Sequence, residues 1–367
     1  MKHKKLPQKI GVYSLLCILA VLICAPVSAG ERNDSYITEA YRLRMNGKSD
    51  QAETLLIQNL KSDSLNALAW FELARTKHHI FLSKPGLSQE EWNDIKGFAE
   101  KSARLDPTNE AFAFYNSYCR LLDAFISMMQ GQQNVNTKVN ETCDAFQSLL
   151  KINPDCYPAM LYQVDLFGSL PEEMGGDRHR AELIAGEMKS KTFGAMAKAR
   201  LLADTADLVA YWQKVEKETG MDPQVMEELG RAFLFKNNDE QGNKYYMDAL
   251  KADTSKRYLL MNLARYFVMR SQQDQTNRDK YLNTATELVN SYIQSDPDLL
   301  PPLKAHAYAI LAMIGSISND QNSMNKNLEL ANGIDPFCSK ASGMPSDILY
   351  YPPGKVKILY TSLFFPF

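Results

Sequence analysis

Residues 222–256 read DPQVMEELGRAFLFKNNDEQGNKYYMDALKADTSK. The stretch holds two amphipathic helices joined by a short polar turn, with Leu229-Gly230, Phe233, Gly242, Tyr246 and Ala249 at helical spacing. Its end, Tyr245 to Asp253, is built like Ala99-Glu100-Lys101-Ser102-Ala103-Arg104-Leu105-Asp106-Pro107. Each closes one amphipathic helix and is followed by another. Helix pairs returning at or near a period of about 34 residues specify an all-α solenoid. One such pair cannot close a core, but a stack can, because each pair buries an apolar face against its neighbours.

The same grammar extends in both directions. The first unit runs from about Asn33 to Asn66, turns at Asn46-Gly47-Lys48-Ser49-Asp50, and opens its second helix at Ala52. Glycine suits the tight connection, and alanine lets the helices approach. The second unit places Trp70, Leu73 and Ala74 on one face and stops at Leu105-Asp106-Pro107. Further stops stand at Asn153-Pro154, Asp222-Pro223, Asp296-Pro297 and Asp335-Pro336. About eight pairs fit between Ser35 and Asp335. Extra residues around Lys84–Ser88 and Ser271–Asp279 read as lengthened loops or extended helices. The stretch 110–222 diverges most from the repeat. Aromatic and methionine stripes (Tyr245, Tyr246, Met261, Tyr266, Phe267, Met269) read as core packing.

These positions resemble the tetratricopeptide repeat, in which a large residue, leucine and a small residue mark the first helix. Trp70, Leu73 and Ala74 match it in one copy, with Ser102 and Pro107 on the following helix. The 222–256 copy matches throughout except that Thr254 replaces the terminal proline. The resemblance implies a right-handed α-solenoid whose concave groove binds a protein or peptide. In that register Arg75, Arg231 and Arg265 share one groove-facing position of the first helix. Arginines there suit a carboxylate or phosphate, as on an acidic segment or chain terminus; the alternative is ordinary ion pairing with neighbouring helices. A second, shorter likeness lies at Leu170–Ala181, where Gly175-Gly176-Asp177 is similar to a helix start in the periplasmic T-component of TRAP transporters. It implies a transport accessory associated with a solute-binding protein or small solute. A capped turn explains the same residues without it.

The first 29 residues have the three regions of a secretory signal peptide. Lys2, Lys4, Lys5 and Lys9 precede an apolar run from Ile10 to Cys24, and Ala25-Pro26-Val27-Ser28-Ala29 offers a cut after Ala29. Lipoprotein processing at Cys24 is disfavoured by the bulky Ile23 before it. The expected location is the periplasm of a Gram-negative cell, or secretion. The leader holds four lysines and no acid, so the net charge of −2 for the 367 residues becomes −6 after its removal. That excludes a general nucleic-acid binder. No later segment is apolar enough to span a bilayer. The organisation is therefore a signal peptide (1–29), a repeat domain (30–336) and a C-terminal tail (337–367).

Cys119, Cys143, Cys156 and Cys338 remain in the exported chain. Cys119 and Cys143 fall on the two helices of one predicted hairpin and are the candidate disulfide; four buried free thiols are the alternative. No catalytic, cofactor or metal motif is present. Neighbouring His78 and His79 point to different helix faces, so they cannot ligate one ion together. Beyond Asp335 the chain changes character. Asp347-Ile348-Leu349-Tyr350-Tyr351-Pro352-Pro353-Gly354 reads as turn or extended, Lys355–Tyr360 alternates loosely, and Leu363-Phe364-Phe365-Pro366-Phe367 is an aromatic end. Such a tail is too apolar for a free linker. It is expected to pack on the last helix pair or in the groove, or else to dock on another protein. The expectation for the whole chain is a non-catalytic scaffold.

Overall fold

The computed structural model describes residues 34–84, 86, 88–202, 207–220, 222–337, 347–356 and 358. Sixteen α-helices follow one another among them, with no strand. They form eight successive pairs: α1 Ser35–Met45 with α2 Ser49–Leu60, α3 Ala67–Leu82 with α4 Gln89–Leu105, α5 Glu110–Met129 with α6 Val135–Ile152, and α7 Tyr157–Ser169 with α8 Arg178–Glu187. Then come α9 Lys191–Leu202 with α10 Leu208–Thr219, α11 Pro223–Phe235 with α12 Asp239–Ala252, α13 Tyr258–Gln273 with α14 Arg278–Gln294, and α15 Pro301–Ile317 with α16 Gln321–Ile334. The most extensive contacts lie within pairs, above all α15/α16, α11/α12, α13/α14, α5/α6 and α3/α4. The chain is an all-α solenoid.

Helix starts are set by side chains. Asn66, Asn109, Asp207, Asp222, Asn238 and Asp320 each accept a backbone N–H from the first turn of the helix they precede. Proline opens α7, α11 and α15, where its missing N–H is not needed. Close approach is set by glycine in the 222–256 unit. A Cβ on Gly230 would stand 2.5 Å from the Tyr246 ring, and one on Gly242 would stand 2.3 Å from Leu234. The additional length near residues 84 and 274 goes mainly into long helices: α3, α4, α13 and α14 each have 16 or 17 residues. In the divergent stretch, α9 packs more extensively on α7 than on its partner α10.

Tyr246, Met261, Tyr266 and Phe267 are buried in one hydrophobic cluster, with Tyr245 and Met269 packed partly against it, so the stripes are core. A larger cluster runs from Met45 through α3–α11 and takes in Ile348, Leu349 and Tyr350 of the tail.

The two ends of the array meet. Gly47, in the α1–α2 turn at φ +70°, is so close to the end of α16 that a Cβ there would lie 2.7 Å from the Ile334 carbonyl oxygen. The tail therefore does not lie only against the last pair. Its described residues cross to the first two pairs: the Tyr41 hydroxyl donates to the Tyr350 carbonyl at 3.0 Å, and Gly354 lies against Leu68. The physical reason is the meeting of the ends, which brings residue 337 beside α3 before the tail begins. Of the loosely alternating stretch, the described residues are not strand, and the aromatic end at 363–367 lies outside the described residues.

A charge ladder along the first helices

Arg75 is fully buried on α3 between Glu72 and the tail. Its guanidinium is ion-paired with Glu72 and donates to the carbonyl oxygens of Ile348 at 3.1 Å, Lys355 at 3.3 Å and Pro352 at 3.4 Å. It also covers the Phe71 ring at 4.5 Å. Arg44 from α1 reaches the other Glu72 oxygen at 3.0 Å and the Thr76 hydroxyl at 3.0 Å. Burial pushes the Arg75 pKa down to about 10, with the Glu72 charge working the other way. One expected groove arginine is thus already occupied, by a 3-10 and turn segment of its own chain held through main-chain carbonyls.

A second set of charges crosses the first helices of four successive pairs. Asp165 on α7 lies 3.9 Å from Arg200 on α9, which reaches Glu228 on α11 at 3.4 Å. Arg231, one turn on, holds Glu228 at 3.3 Å and Glu227 at 3.0 Å. Glu227 in turn accepts from Lys256 at 2.7 Å and from the Tyr258 hydroxyl at 2.7 Å, at the start of α13. Burial favours neutral Glu227, but the Lys256 and Arg231 charges outweigh it and hold its pKa below the usual carboxylate value. For Arg231, burial works against the charge, while Glu228 and Glu227 raise its pKa well above the ordinary value. The second expected groove arginine is therefore consumed in ion pairs, with carboxylates of its own helix rather than of a neighbouring one.

Arg265 is different. Tyr258, Asn262 and Arg265 recur along one stripe of α13, all partly buried. Tyr258 is tied to Glu227, but Arg265 has no hydrogen bond or ion pair among the described residues. Desolvation lowers its pKa with no carboxylate to compensate. His306 on α15 is 5% exposed, and among the described residues neither ring nitrogen has a hydrogen-bond partner. Burial, followed by the charge of Arg265, pushes its pKa down to about 4, so the ring is neutral at neutral pH. The sequence register identifies Arg265 from its spacing to Arg231; His306 carries no signal in the repeat pattern and emerges only from the packing.

The remaining candidates resolve as follows. His78 and His79 are both buried and do diverge. His78 Nδ1 lies 3.2 Å from the Tyr115 hydroxyl, whereas His79 Nε2 lies 2.9 Å from Asp335 and its Nδ1 lies 3.3 Å from the Tyr350 hydroxyl. Among the described residues no three His, Cys, Asp or Glu side chains gather as a metal site requires. Cys119 and Cys143, the expected disulfide, are separate buried thiols, as is Cys156. Burial pushes the Cys119 and Cys143 thiols up to about 12. Gly175-Gly176-Asp177 is a capped turn: Gly175 has φ +95°, a Cβ on Gly176 would lie 1.8 Å from the Leu170 carbonyl oxygen, and Asp177 accepts from Arg180 N. That geometry accounts for the whole motif, and the transporter-component resemblance has no support.

The fold defines the chain as an α-solenoid of tetratricopeptide-like helix pairs. No protein-family model matches the sequence, and no curated protein matches it. Among solved structures it is similar to Cut9 in the APC/C hetero-tetramer Cut9–Hcn1, at 15% identity and TM-score 0.34, covering 93% of this chain and 60% of that one. It is similar to yeast Tom70 at 12% identity and TM-score 0.35, covering 82% and 75%. It is also similar to the C-terminal part of a TPR repeat-containing protein of Cytophaga hutchinsonii at 13% identity and TM-score 0.27, covering 81% and 95%. The chain thus spans 60% of the length of the Cut9 chain. At scores of this size, the helix-pair assignment rests on the chain's own packing.

Proposed function

We propose that this protein is a non-catalytic scaffold of the cell envelope that binds a protein or peptide partner along the face lined by its first helices. The observation that carries the reading is the way Arg75 holds residues 348–355: a segment of 3-10 helix and turns is already held there through its main-chain carbonyls. Stacked repeats present a long continuous surface of the kind that binds other chains. The leader-like segment at residues 1–29 supports an envelope location, soluble or loosely membrane-associated. No described helix is long and apolar enough to cross a membrane.

Site-specific photocrosslinking tests the reading on the intact chain. A photoreactive residue at Asn262 or Tyr308, on first helices, is compared with one at Lys251 or Glu287, on second helices. A partner that crosslinks from the first-helix positions alone supports the proposal. Crosslinks from the second-helix positions alone, or from neither set in the native envelope, overturn it.

A further inference from the structure

The last three helices leave open a junction that other pairs fill. Where a second helix, the next first helix and the next second helix meet, long side chains close the gap elsewhere. Between α4, α5 and α6, Lys96 and Lys138 reach buried Asp123 at 2.6 and 3.0 Å. Between α12, α13 and α14, Tyr266 donates to Asp239 at 2.5 Å and Arg270 to the Tyr281 hydroxyl at 3.1 Å. Between α14, α15 and α16 the same junction holds a cavity of about 360 Å³. A Cβ on Gly315 would stand 2.7 Å from the Met324 backbone nitrogen, so α16 lies tight on α15 and the gap falls toward α14. Two stripes of short polar side chains line it, each at the i, i+3, i+7 spacing of one helix face: Asn283, Thr286 and Asn290 on α14, and Asp320, Ser323 and Asn327 at the start of α16. Buried Leu282, Leu311 and Ile314 line the same space.

The polar lining has capacity that the fold does not use. Asn283 and Asn290 are exposed and make no hydrogen bond among the described residues. Thr286 and Ser318 donate their hydroxyl protons to the Leu282 and Ile314 carbonyl oxygens, each at 2.9 Å, and keep free lone pairs. Asn327 donates to the Ser323 carbonyl oxygen at 2.9 Å and keeps its own amide oxygen. Among the described lining residues Asp320 alone is charged, and it caps Ser323 N. A polar cavity of this size fills with water. A ligand displaces that water without loss only if it reproduces the water's hydrogen bonds. A hydroxyl does so, because it donates and accepts at one atom. An anion finds no cation in the lining, and a cation gains little from one exposed carboxylate.

We propose that the α14–α15–α16 junction binds a neutral saccharide. Its hydroxyls meet Asn283, Asn290 and Asn327, and its C–H face lies on the leucine and isoleucine side chains. The site is built mainly on second helices and does not rest on the peptide-scaffold reading.

NMR of the full-length exported protein with labelled asparagine tests the proposal through the side-chain amide signals. The probes are maltose and di-N-acetylchitobiose, with putrescine and N-acetyl-diglycine amide as the cationic and peptide controls. The expected result is a saturable shift of the Asn283, Asn290 and Asn327 signals with one or both disaccharides and none with either control. Thr286→Trp fills the cavity and abolishes the response. Asn290→Ala, at an exposed position that leaves the urea midpoint in place, weakens it about 3- to 10-fold, as loss of a neutral hydrogen bond does, and decides alone if the larger substitution fails to fold. No shift with either disaccharide, an equal shift with putrescine or the peptide amide, or a response that Asn290→Ala leaves unchanged overturns the proposal.

Discussion

His79 and Asp335 are 256 positions apart in sequence, yet His79 Nε2 lies 2.9 Å from the Asp335 carboxylate with both side chains buried. The contact joins the second helix pair to the residue that ends the last helix. The Tyr350 hydroxyl, 3.3 Å from the other ring nitrogen, adds the tail to the same point. One imidazole therefore fastens three parts of the chain. Replacing it by alanine removes one donor from a buried carboxylate that keeps the Phe337 backbone N–H at 2.9 Å, which costs about 1–3 kcal/mol. We expect His79→Ala to loosen α16 and the tail selectively. Hydrogen exchange checks this: protection falls over residues 321–334 and 348–356 and holds over α5–α8. A uniform loss across all pairs would contradict a local fastening.

Gly230 and Gly97 form a matched pair for testing what the repeat pattern demands. Both are helical. A Cβ on Gly230 meets the Tyr246 ring at 2.5 Å, with the Gly242 carbonyl oxygen at 3.2 Å, whereas one on Gly97 meets nothing within 4 Å. Gly230→Ala is expected to cost about 1–3 kcal/mol through overpacking. Gly97→Ala, on the exposed side of α4, is expected to gain about 0.5–1 kcal/mol from helix propensity. Urea denaturation of the two variants should move in opposite directions. Equal effects would mean that the α11/α12 contact yields more readily than its spacing implies.

Cysteine chemistry separates the two states left open by the sequence. Cys119, Cys143 and Cys156 are buried, with pKa values pushed up to about 12, 12 and 11. Neither burial nor so small a thiolate fraction favours alkylation in the native protein at pH 8. We expect iodoacetamide to leave all three unmodified until the chain is unfolded, and then to modify all three without any reductant. Peptide mass spectrometry reads the result. A Cys119 and Cys143 that react only after reduction would restore the bridge. The same spectra locate the mature N-terminus, for which cleavage after Ala29 gives Gly30 and leaves no lipid at Cys24.

What the sequence made legible follows from how local each feature is. The glycines and Tyr246 of the 222–256 unit and the proline stops act within a few residues of themselves, and they gave the repeat and a count of about eight pairs while leaving 110–222 unplaced in detail. Arg231 and Arg265 could be set one repeat apart by counting, but counting could not tell them apart. Glu227 and Glu228, on the same helix, pair Arg231, and among the described residues no carboxylate pairs Arg265. The closure of the array was not legible. It depends on the accumulated rotation of the pairs, which brings Ile334 and Asp335 to Gly47 and His79, and no single repeat encodes that sum. For the same reason the sequence left the tail's place open between the last pair, the groove and another protein.

His78 supplies the pH test. It is buried on α3, edge-on to Trp92 with ring centroids 5.1 Å apart, and its Nδ1 lies 3.2 Å from the Tyr115 hydroxyl. Burial, with a smaller contribution from His79, lowers its pKa to about 3, against an ordinary value of 6.5. Between those limits the unfolded chain binds the proton that the folded chain refuses. Stability therefore falls as pH drops from 6.5 toward 3, by about 1.4 kcal/mol per pH unit from this group alone. His78→Gln keeps a hydrogen-bonding group for Tyr115 but cannot titrate. It should lower stability at pH 7 through imperfect packing while flattening the acid limb. Urea midpoints at pH 7, 6 and 5 decide the matter: the gap between wild type and variant must narrow as pH falls. A gap that stays constant would show that His78 is protonated in both states or in neither, and that the acid sensitivity arises elsewhere.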